Sequence, residues 1–415
     1  MKKIFHYRCN DCGEEYSSGI IRYLCPACNA NNKADQPPKG VLKTIYSYKS
    51  ILDNLDGKDC FQYLVENQFL PLLPIQSLES LPKLRVGNTP LYKSFDVNET
   101  GESFEVFLKD DSQNPTFSFK DRASAIVSAW ARENDIDTIV AASTGNAGSS
   151  LAGICASQGQ KSMIFVPAKA PIAKLTQIVM YGARIIPVDG TYDQAFDLSV
   201  AASEQFGFYN RNTAFNPLTI EGKKTVAFEI YEQLGRKAPD RIFVPVGDGV
   251  IISGVYKGFE DLLELEIIQK MPTIVAVQAE GSNNLIRNLD QSRFIAYPSN
   301  TIADSISVDI PRNYHMAVKY LKTFKGETIS VSDKEIIDAS VSLSRSSGIF
   351  SEPAAATAYA GYIRFKSTSR LAEGSRNVVL LTGSGLKDLQ SVQSRISLPK
   401  PVSPELSSLN SLFSI

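Results

Sequence analysis

Histidine is almost missing from this chain of 415 residues, which has only His6 and His315. A Ser-His-Asp or Cys-His catalytic arrangement therefore has few candidates. His6, in the N-terminal segment, and His315, in Pro311-Arg312-Asn313-Tyr314-His315, read as surface or packing residues. Excess charge is missing too: 43 Lys and Arg face 44 Asp and Glu, a formal charge of −1, which leaves no electrostatic footprint for nucleic acid. No run approaches the roughly 20 apolar residues that cross a bilayer, and Met1-Lys2-Lys3-Ile4-Phe5-His6 is basic without a long apolar stretch. A hydrophobic share of 43% and a mean hydropathy of −0.10 are ordinary for a soluble protein. The expectation is a cytoplasmic protein with neither nucleic acid nor membrane as partner, built from two or three domains at this length.

Cysteine is scarce but patterned. Cys9-Asn10-Asp11-Cys12 and Cys25-Pro26-Ala27-Cys28 are two C-x-x-C pairs with 12 residues between them. Each pair clamps one side of a tetrahedral ion from a tight turn, so Cys9, Cys12, Cys25 and Cys28 form a closed structural zinc ribbon, with metal-free reduced thiols as the alternative. Cys60 and Cys155 stand alone; Cys155, in a run of small residues, reads as core packing. Ala34-Asp35-Gln36-Pro37-Pro38-Lys39-Gly40 reads as a linker.

Beyond the linker, strand and helix patterns alternate. Strands are expected at 104–109, 136–142, 163–167, 184–188, 241–246, 273–278 and 377–381, with helices over 121–134, 174–181 and 222–233 and another from 251. Three strands run into polar glycine loops: Ser143-Thr144-Gly145-Asn146-Ala147-Gly148, Gly247-Asp248-Gly249 and Thr382-Gly383-Ser384-Gly385. Such junctions aim backbone N–H groups at an anion, although many α/β turns of this kind bind nothing. Asn114-Pro115-Thr116-Phe117-Ser118-Phe119-Lys120-Asp121-Arg122 is an Asn-Pro turn leading into a helix, with Ser118 placed as an N-cap. Lys120 at that helix start is the candidate reactive amine. Taken alone, Lys-Asp-Arg in this position is more often a solvated face.

The three loops and the lysine, with Gly87-Asn88-Thr89-Pro90-Leu91, Glu221-Gly222-Lys223-Lys224-Thr225 and Glu352-Pro353-Ala354, resemble the fold-type II pyridoxal-phosphate enzymes over about 85–390, most closely the threonine synthase family. The resemblance implies two α/β domains with open, mainly parallel twisted sheets flanked by helices, the cofactor lying between them, plus the N-terminal zinc ribbon. It implies a carbon-oxygen lyase acting on O-phospho-L-homoserine, an amino-acid substrate. Lys120 would hold pyridoxal 5'-phosphate covalently and then act as acid and base. Asn146 would meet the ring hydroxyl, Thr382 the pyridine nitrogen, and Gly247, Asp248, Gly249, Val250 and Ile251 the phosphate. Ser143, Thr144 and Ala147 would hold the substrate α-carboxylate. Alternatives on the same fold are replacement on O-phosphoserine, as in a cysteate synthase, and a threonine or serine dehydratase.

Two positions depart from the family's pattern. Thr219 stands where an arginine would bind the leaving phosphate, and Asp248 puts an acid in the phosphate loop. Arg122, Arg211, Lys223 or Lys224 could supply the missing charge. The expected divisions are 1–40 for ribbon and linker, 41–118 for a segment joining the core, 119–215 for a smaller α/β domain, 216–395 for a larger one and 396–415 for a tail rich in Ser and Pro. A homodimer is compatible with this organisation.

Overall fold

Residues 5–94 and 103–409 are described by the structure, a computed structural model. Strands β1 (Phe5–Cys9), β2 (Glu15–Ser17) and β3 (Leu42–Tyr46) form an antiparallel sheet of order β2-β1-β3. Its third strand comes from beyond the boundary drawn at 40. Then follow β4 (Leu91–Lys93), β5 (Glu105–Asp110), α1 (Lys120–Glu133), β6 (Thr138–Ala142), α2 (Asn146–Gln158), β7 (Lys161–Pro167), α3 (Ile172–Met180), β8 (Arg184–Val188), α4 (Tyr192–Phe206) and β9 (Tyr209–Asn210). The second half runs α5 (Leu218–Gln233), β10 (Arg241–Pro245), α6 (Val250–Glu264), β11 (Thr273–Ala279), α7 (Tyr314–Thr323), β12 (Glu327–Val331), α8 (Asp333–Ser347), α9 (Pro353–Ser367) and β13 (Arg376–Leu381).

The strands sort into two larger sheets. One is parallel throughout, in the order β8-β7-β6-β9. The other, β12-β11-β10-β13-β5-β4, is parallel except for its edge strand β4. Their central strands are continuous apolar runs because helices cover both faces: Ile242, Phe243, Val244, Val378, Val379 and Leu380 are all fully buried. The mixed α/β fold with mainly parallel sheets is as expected, and the strand positions agree within a few residues.

Helix α5 starts at Leu218, four residues before the expected start. Asn216 Oδ1 accepts the Leu218 N–H at 2.9 Å, so the Asn-Pro pair opens the helix instead of preceding it. Gly222 then lies inside the helix, where a β-carbon would sit 2.1 Å from Arg122 O on α1. Gly254 plays the same part on α6, where a β-carbon would meet Lys223 Cβ at 2.6 Å. These contacts seat α5 between α1 and α6, the helices that carry the lysine and the second glycine loop.

The N-terminal sheet is seated on this core by several polar contacts, among them Lys43 Nζ of β3, which donates to Glu260 Oε1 on α6 at 2.6 Å. From β3, Tyr46 Oη donates to Glu221 Oε2 on α5 at 2.6 Å. On α7, Lys319 Nζ donates to Asn10 O at 3.0 Å and His315 Nε2 lies 3.2 Å from Pro37 O. His315 is thus a packing residue, as read. In the tail, Leu398 and Leu406 are 84% and 82% exposed; Met1–Ile4 and residues 410–415 lie outside the described residues. No described helix is long and apolar enough to cross a membrane.

Candidate active site

Lys120 opens α1 because the residues before it are zipped onto the loop after β13. Phe119 N–H donates to Thr382 O at 2.9 Å and Ser384 N–H to Phe117 O at 3.1 Å, with a bridge between Ser118 and Gly383. Ser118 is therefore not the N-cap expected of it: α1 begins from Phe119 without a side-chain cap, and Ser118 Oγ is buried with no partner among the described residues. Asp121 does the local fastening, taking the Thr116 N–H at 2.7 Å and its hydroxyl at 2.5 Å. Asp121 and Arg122 are 0% and 2% exposed, so this is no solvated face.

No hydrogen-bond partner holds Lys120 Nζ among the described residues. Burial pushes its pKa below that of an ordinary lysine; Glu352 opposes the shift and Arg211 adds to it. An amine so placed is available as a nucleophile.

Ser143, Thr144, Gly145 and Ala147 are half-buried at the exit of β6, while Asn146 is buried. The loop stays tight because Gly148 leaves no room for a side chain: a β-carbon there would lie 2.4 Å from Ser143 O. Asn146 Nδ2 donates to both carboxylate oxygens of Glu352 at 2.9 Å and to Ser305 Oγ at 3.3 Å. Glu352 is buried, which raises its pKa against the opposing pull of Asn146 and Lys120. Its own N–H donates to Gly383 O at 3.1 Å. A β-carbon at Gly383 would lie 2.4 Å from Glu352 Oε1.

In the second glycine loop Gly249 takes φ +84° and starts α6, whose N-terminus carries the partial positive charge of the helix dipole. The N–H groups of Gly249, Val250 and Ile251 have no acceptor among the described residues. Asp248 is held by the segment before α7. Its Oδ1 accepts the Arg312 N–H at 3.1 Å and its carbonyl accepts the Asn313 N–H at 2.9 Å. Burial raises its pKa, with the Arg312 N–H opposing. Thr382, 2% exposed at the end of β13, has no hydroxyl partner among the described residues. Lys387 closes this side, donating to Gln177 Oε1 at 2.7 Å, Ser149 Oγ at 2.9 Å and Thr116 O at 3.1 Å.

The four candidate cations part company. Arg122 is spent on Asp111 and Glu229, each at 2.6 Å. Lys224 lies 2.6 Å from Glu221 and 2.7 Å from Asp261. Among the described residues Arg211 has only neutral hydrogen-bond partners, donating to Thr213 Oγ1 at 3.1 Å, Ser124 Oγ at 3.2 Å and Lys120 O at 3.5 Å. Lys223 has none among the described residues. Arg211 and Lys223 were two of four equal candidates in the sequence, and Glu352 had no role there; motif spacing records which residues are present and says nothing of which charges are paired.

Away from this cleft, the sulfurs of Cys9, Cys12, Cys25 and Cys28 all lie within 4.8 Å of one another. Cys9 and Cys28 are 3.8 Å apart, Cys12 and Cys25 3.7 Å.

Residues 83–383 match the family described as pyridoxal-phosphate dependent enzyme. The threonine synthase of Methanocaldococcus jannaschii is 33% identical over 386 residues, covering 92% of each chain. That of Methanosarcina acetivorans is 32% identical over 395 residues, covering 94% of each. Among solved structures, processed threonine deaminase isoform 2 from Solanum lycopersicum superposes with a TM-score of 0.66 at 22% identity, covering 83% of this chain and 95% of the other. Maize serine racemase gives 0.62 at 24% identity, covering 74% and 92%. Both structural likenesses concern the fold.

Proposed function

Because the chain belongs to the pyridoxal-phosphate dependent enzymes, among the relatives of the threonine synthases, we infer that it is a lyase making L-threonine and phosphate from O-phospho-L-homoserine and water. The observation that carries this reading is identity of 32–33% over 92–94% of both chains.

The cleft fits the cofactor in three ways. Lys120 Nζ is unclaimed among the described residues; the N–H groups of Gly249, Val250 and Ile251 open α6 and lack acceptors there; and Thr382, a buried residue, has no hydroxyl partner among the described residues. Gly247 and Gly249 complete the phosphate cradle, because β-carbons there would meet Ile306 Cα at 2.8 Å and Ala317 Cβ at 3.0 Å. Asp248 contributes its backbone only.

When bound, the cofactor supplies an electron sink for charge developing beside the substrate nitrogen. Lys120 anchors it and then moves protons at substrate Cα and Cβ, a task suited to an amine whose pKa burial has lowered. Thr382 offers the ring nitrogen a neutral hydroxyl, which keeps the sink moderate. Asn146, braced by Glu352, orients the ring hydroxyl. Ser143, Thr144 and Ala147, half-buried at the cleft edge, receive the α-carboxylate on backbone and hydroxyl donors.

The four-cysteine cluster is assigned to structural zinc. Zn–S bonds of about 2.3 Å in a tetrahedron set sulfurs about 3.8 Å apart, the spacing seen for Cys9–Cys28 and Cys12–Cys25. That Cys60 and Cys155 are free as well suits a reducing, cytoplasmic compartment. The division at 118/119 and 215/216 is supported by the sheets, since β6–β9 all fall in the smaller unit. A homodimer is the proposed assembly.

The test is phosphate release by purified protein from phosphohomoserine and from phosphoserine, with threonine formation followed in parallel. Threonine and phosphate appearing together are expected. Keto acid formed from threonine, with neither phosphate ester consumed, would overturn the reading.

A further inference from the structure

The family's pattern expects an arginine where this chain has Thr219, so the charge that meets the substrate phosphate must come from elsewhere. Thr219 cannot serve alone: its hydroxyl is turned back onto its own helix, donating to Asn216 O at 2.8 Å. One turn further along the same face of α5 stands Lys223. It is 0% exposed, and its Nζ has neither hydrogen-bond acceptor nor carboxylate partner among the described residues. A buried ammonium in that condition is costly unless an anion arrives.

Its surroundings say which anion. The close approach at Gly254 lays Lys223 Cβ against α6 just past its N-terminus. The charged groups that act on Lys223 are Arg211, Lys120 and Asp248, all at the cleft. Arg211 is itself 0% exposed and bonded only to neutral oxygens. Desolvation, with Arg211 and Lys120 beside it, holds the Lys223 pKa well below the ordinary value, while burial holds Arg211 at about 10. Asp248 opposes the shift at Lys223 and Asp121 that at Arg211, but neither carboxylate forms an ion pair with either cation among the described residues: Asp248 takes the Arg312 N–H and Asp121 the Thr116 N–H and hydroxyl.

We propose that Lys223, with Arg211 beside it, is the site for the substrate's phosphate-ester dianion, replacing the arginine surrendered at position 219. The inference rests on the phosphohomoserine reading for the identity of the ligand, though not for the existence of the anion site. The cofactor's phosphate already has the N–H groups of 249–251, and Lys223 serves the second phosphate.

The experiment uses holoenzyme and the variant Lys223→Met, which removes the charge and keeps the volume. Inorganic phosphate and the non-hydrolysable phosphonate analogue of phosphohomoserine are titrated by calorimetry, and cofactor affinity by absorbance. Losing one charged hydrogen-bond donor should weaken both anions by about 10- to 100-fold, leaving cofactor affinity and binding of phosphate-free homoserine within about threefold. KM for phosphohomoserine should rise by a similar factor while kcat changes little. Adding Thr219→Arg to Lys223→Met should recover part of the anion affinity. Unchanged anion affinity in Lys223→Met would overturn the proposal, and so would a loss confined to cofactor affinity, which would assign Lys223 to the cofactor's phosphate. Should Lys223→Met not fold, the unaltered holoenzyme still decides: failure to bind inorganic phosphate at tens of millimolar removes the site. A holoenzyme that binds phosphate through Lys223 yet leaves phosphohomoserine intact loses the substrate reading and keeps the site.

Discussion

Glu229 is the carboxylate on which the entrance to the lysine helix depends, and Glu229→Gln is the sharpest probe of that dependence. One oxygen takes Arg122 Nη1 at 2.6 Å and the Asn88 N–H at 2.7 Å; the other takes Lys109 Nζ at 2.6 Å, Arg122 Nη2 at 2.8 Å and the Thr89 N–H at 3.3 Å. The side chains of Lys109 and Arg122 are 0% and 1% exposed, that of Glu229 14%. Burial opposes the negative charge, but Arg122 and Lys109 overcome it and hold Glu229 at about 2, against 4.5 when unperturbed. That displacement corresponds to about 3 kcal/mol of stability at neutral pH, which agrees with the ~3–5 kcal/mol expected when one partner of a buried pair is removed. Because the folded pKa is depressed, this stabilisation is complete above pH 4.5 and fades as pH falls towards 2. Trp130 supplies the assay: it is the only tryptophan, sits on α1 and is 3% exposed, so urea unfolding followed by its fluorescence reports this region. Glu229→Gln should lose about 3 kcal/mol at pH 7, and the gap to the unaltered protein should narrow in acid. A gap below about 1 kcal/mol, or one that widens on acidification, would refute the reasoning.

Three further outcomes are expected. Lys120→Ala should abolish borohydride-fixable cofactor, and cofactor capture by the unaltered apoprotein should accelerate with pH through a midpoint below 10.5, since burial lowers the Lys120 pKa; a midpoint at or above that value contradicts the site. Gly383→Ala would force a carbon to within 2.4 Å of Glu352 Oε1 and should weaken cofactor binding at least about tenfold while costing about 1–3 kcal/mol, seen in cofactor titration and thermal melts. Cys9→Ser should take bound zinc from one ion per chain to a small fraction, by metal analysis; unchanged zinc removes the ribbon assignment.

Much of the fold was legible because its signals are local. Apolar runs ending in glycine loops mark parallel strands, and the structure ends β6 and β13 directly before Ser143 and Thr382 and β10 one residue short of Gly247. The spacing of Cys9, Cys12, Cys25 and Cys28 is likewise local information, and the four sulfurs do converge. What escaped was tertiary. Ser118 has the right residue type and position for an N-cap, yet a bridge to Gly383, far along the chain, claimed the backbone around it. Asp248 looked hostile to an anion, and nothing near it in sequence shows that the Arg312 N–H, 64 residues on, takes its carboxylate. Arg122 and Lys224 looked as available as Arg211 and Lys223 until their carboxylates, brought in by other helices, came into view.

Two of the footholds of the N-terminal segment bear on the cleft. Tyr46 grips α5 two residues before Lys223, and Asn10 and Pro37 grip α7, whose leading residues Arg312 and Asn313 hold Asp248 in place. The four-cysteine module thus braces two helices that flank the proposed anion contacts. Stripping the zinc proposed for those cysteines should slacken the grip on phosphate while the two large sheets keep their shape.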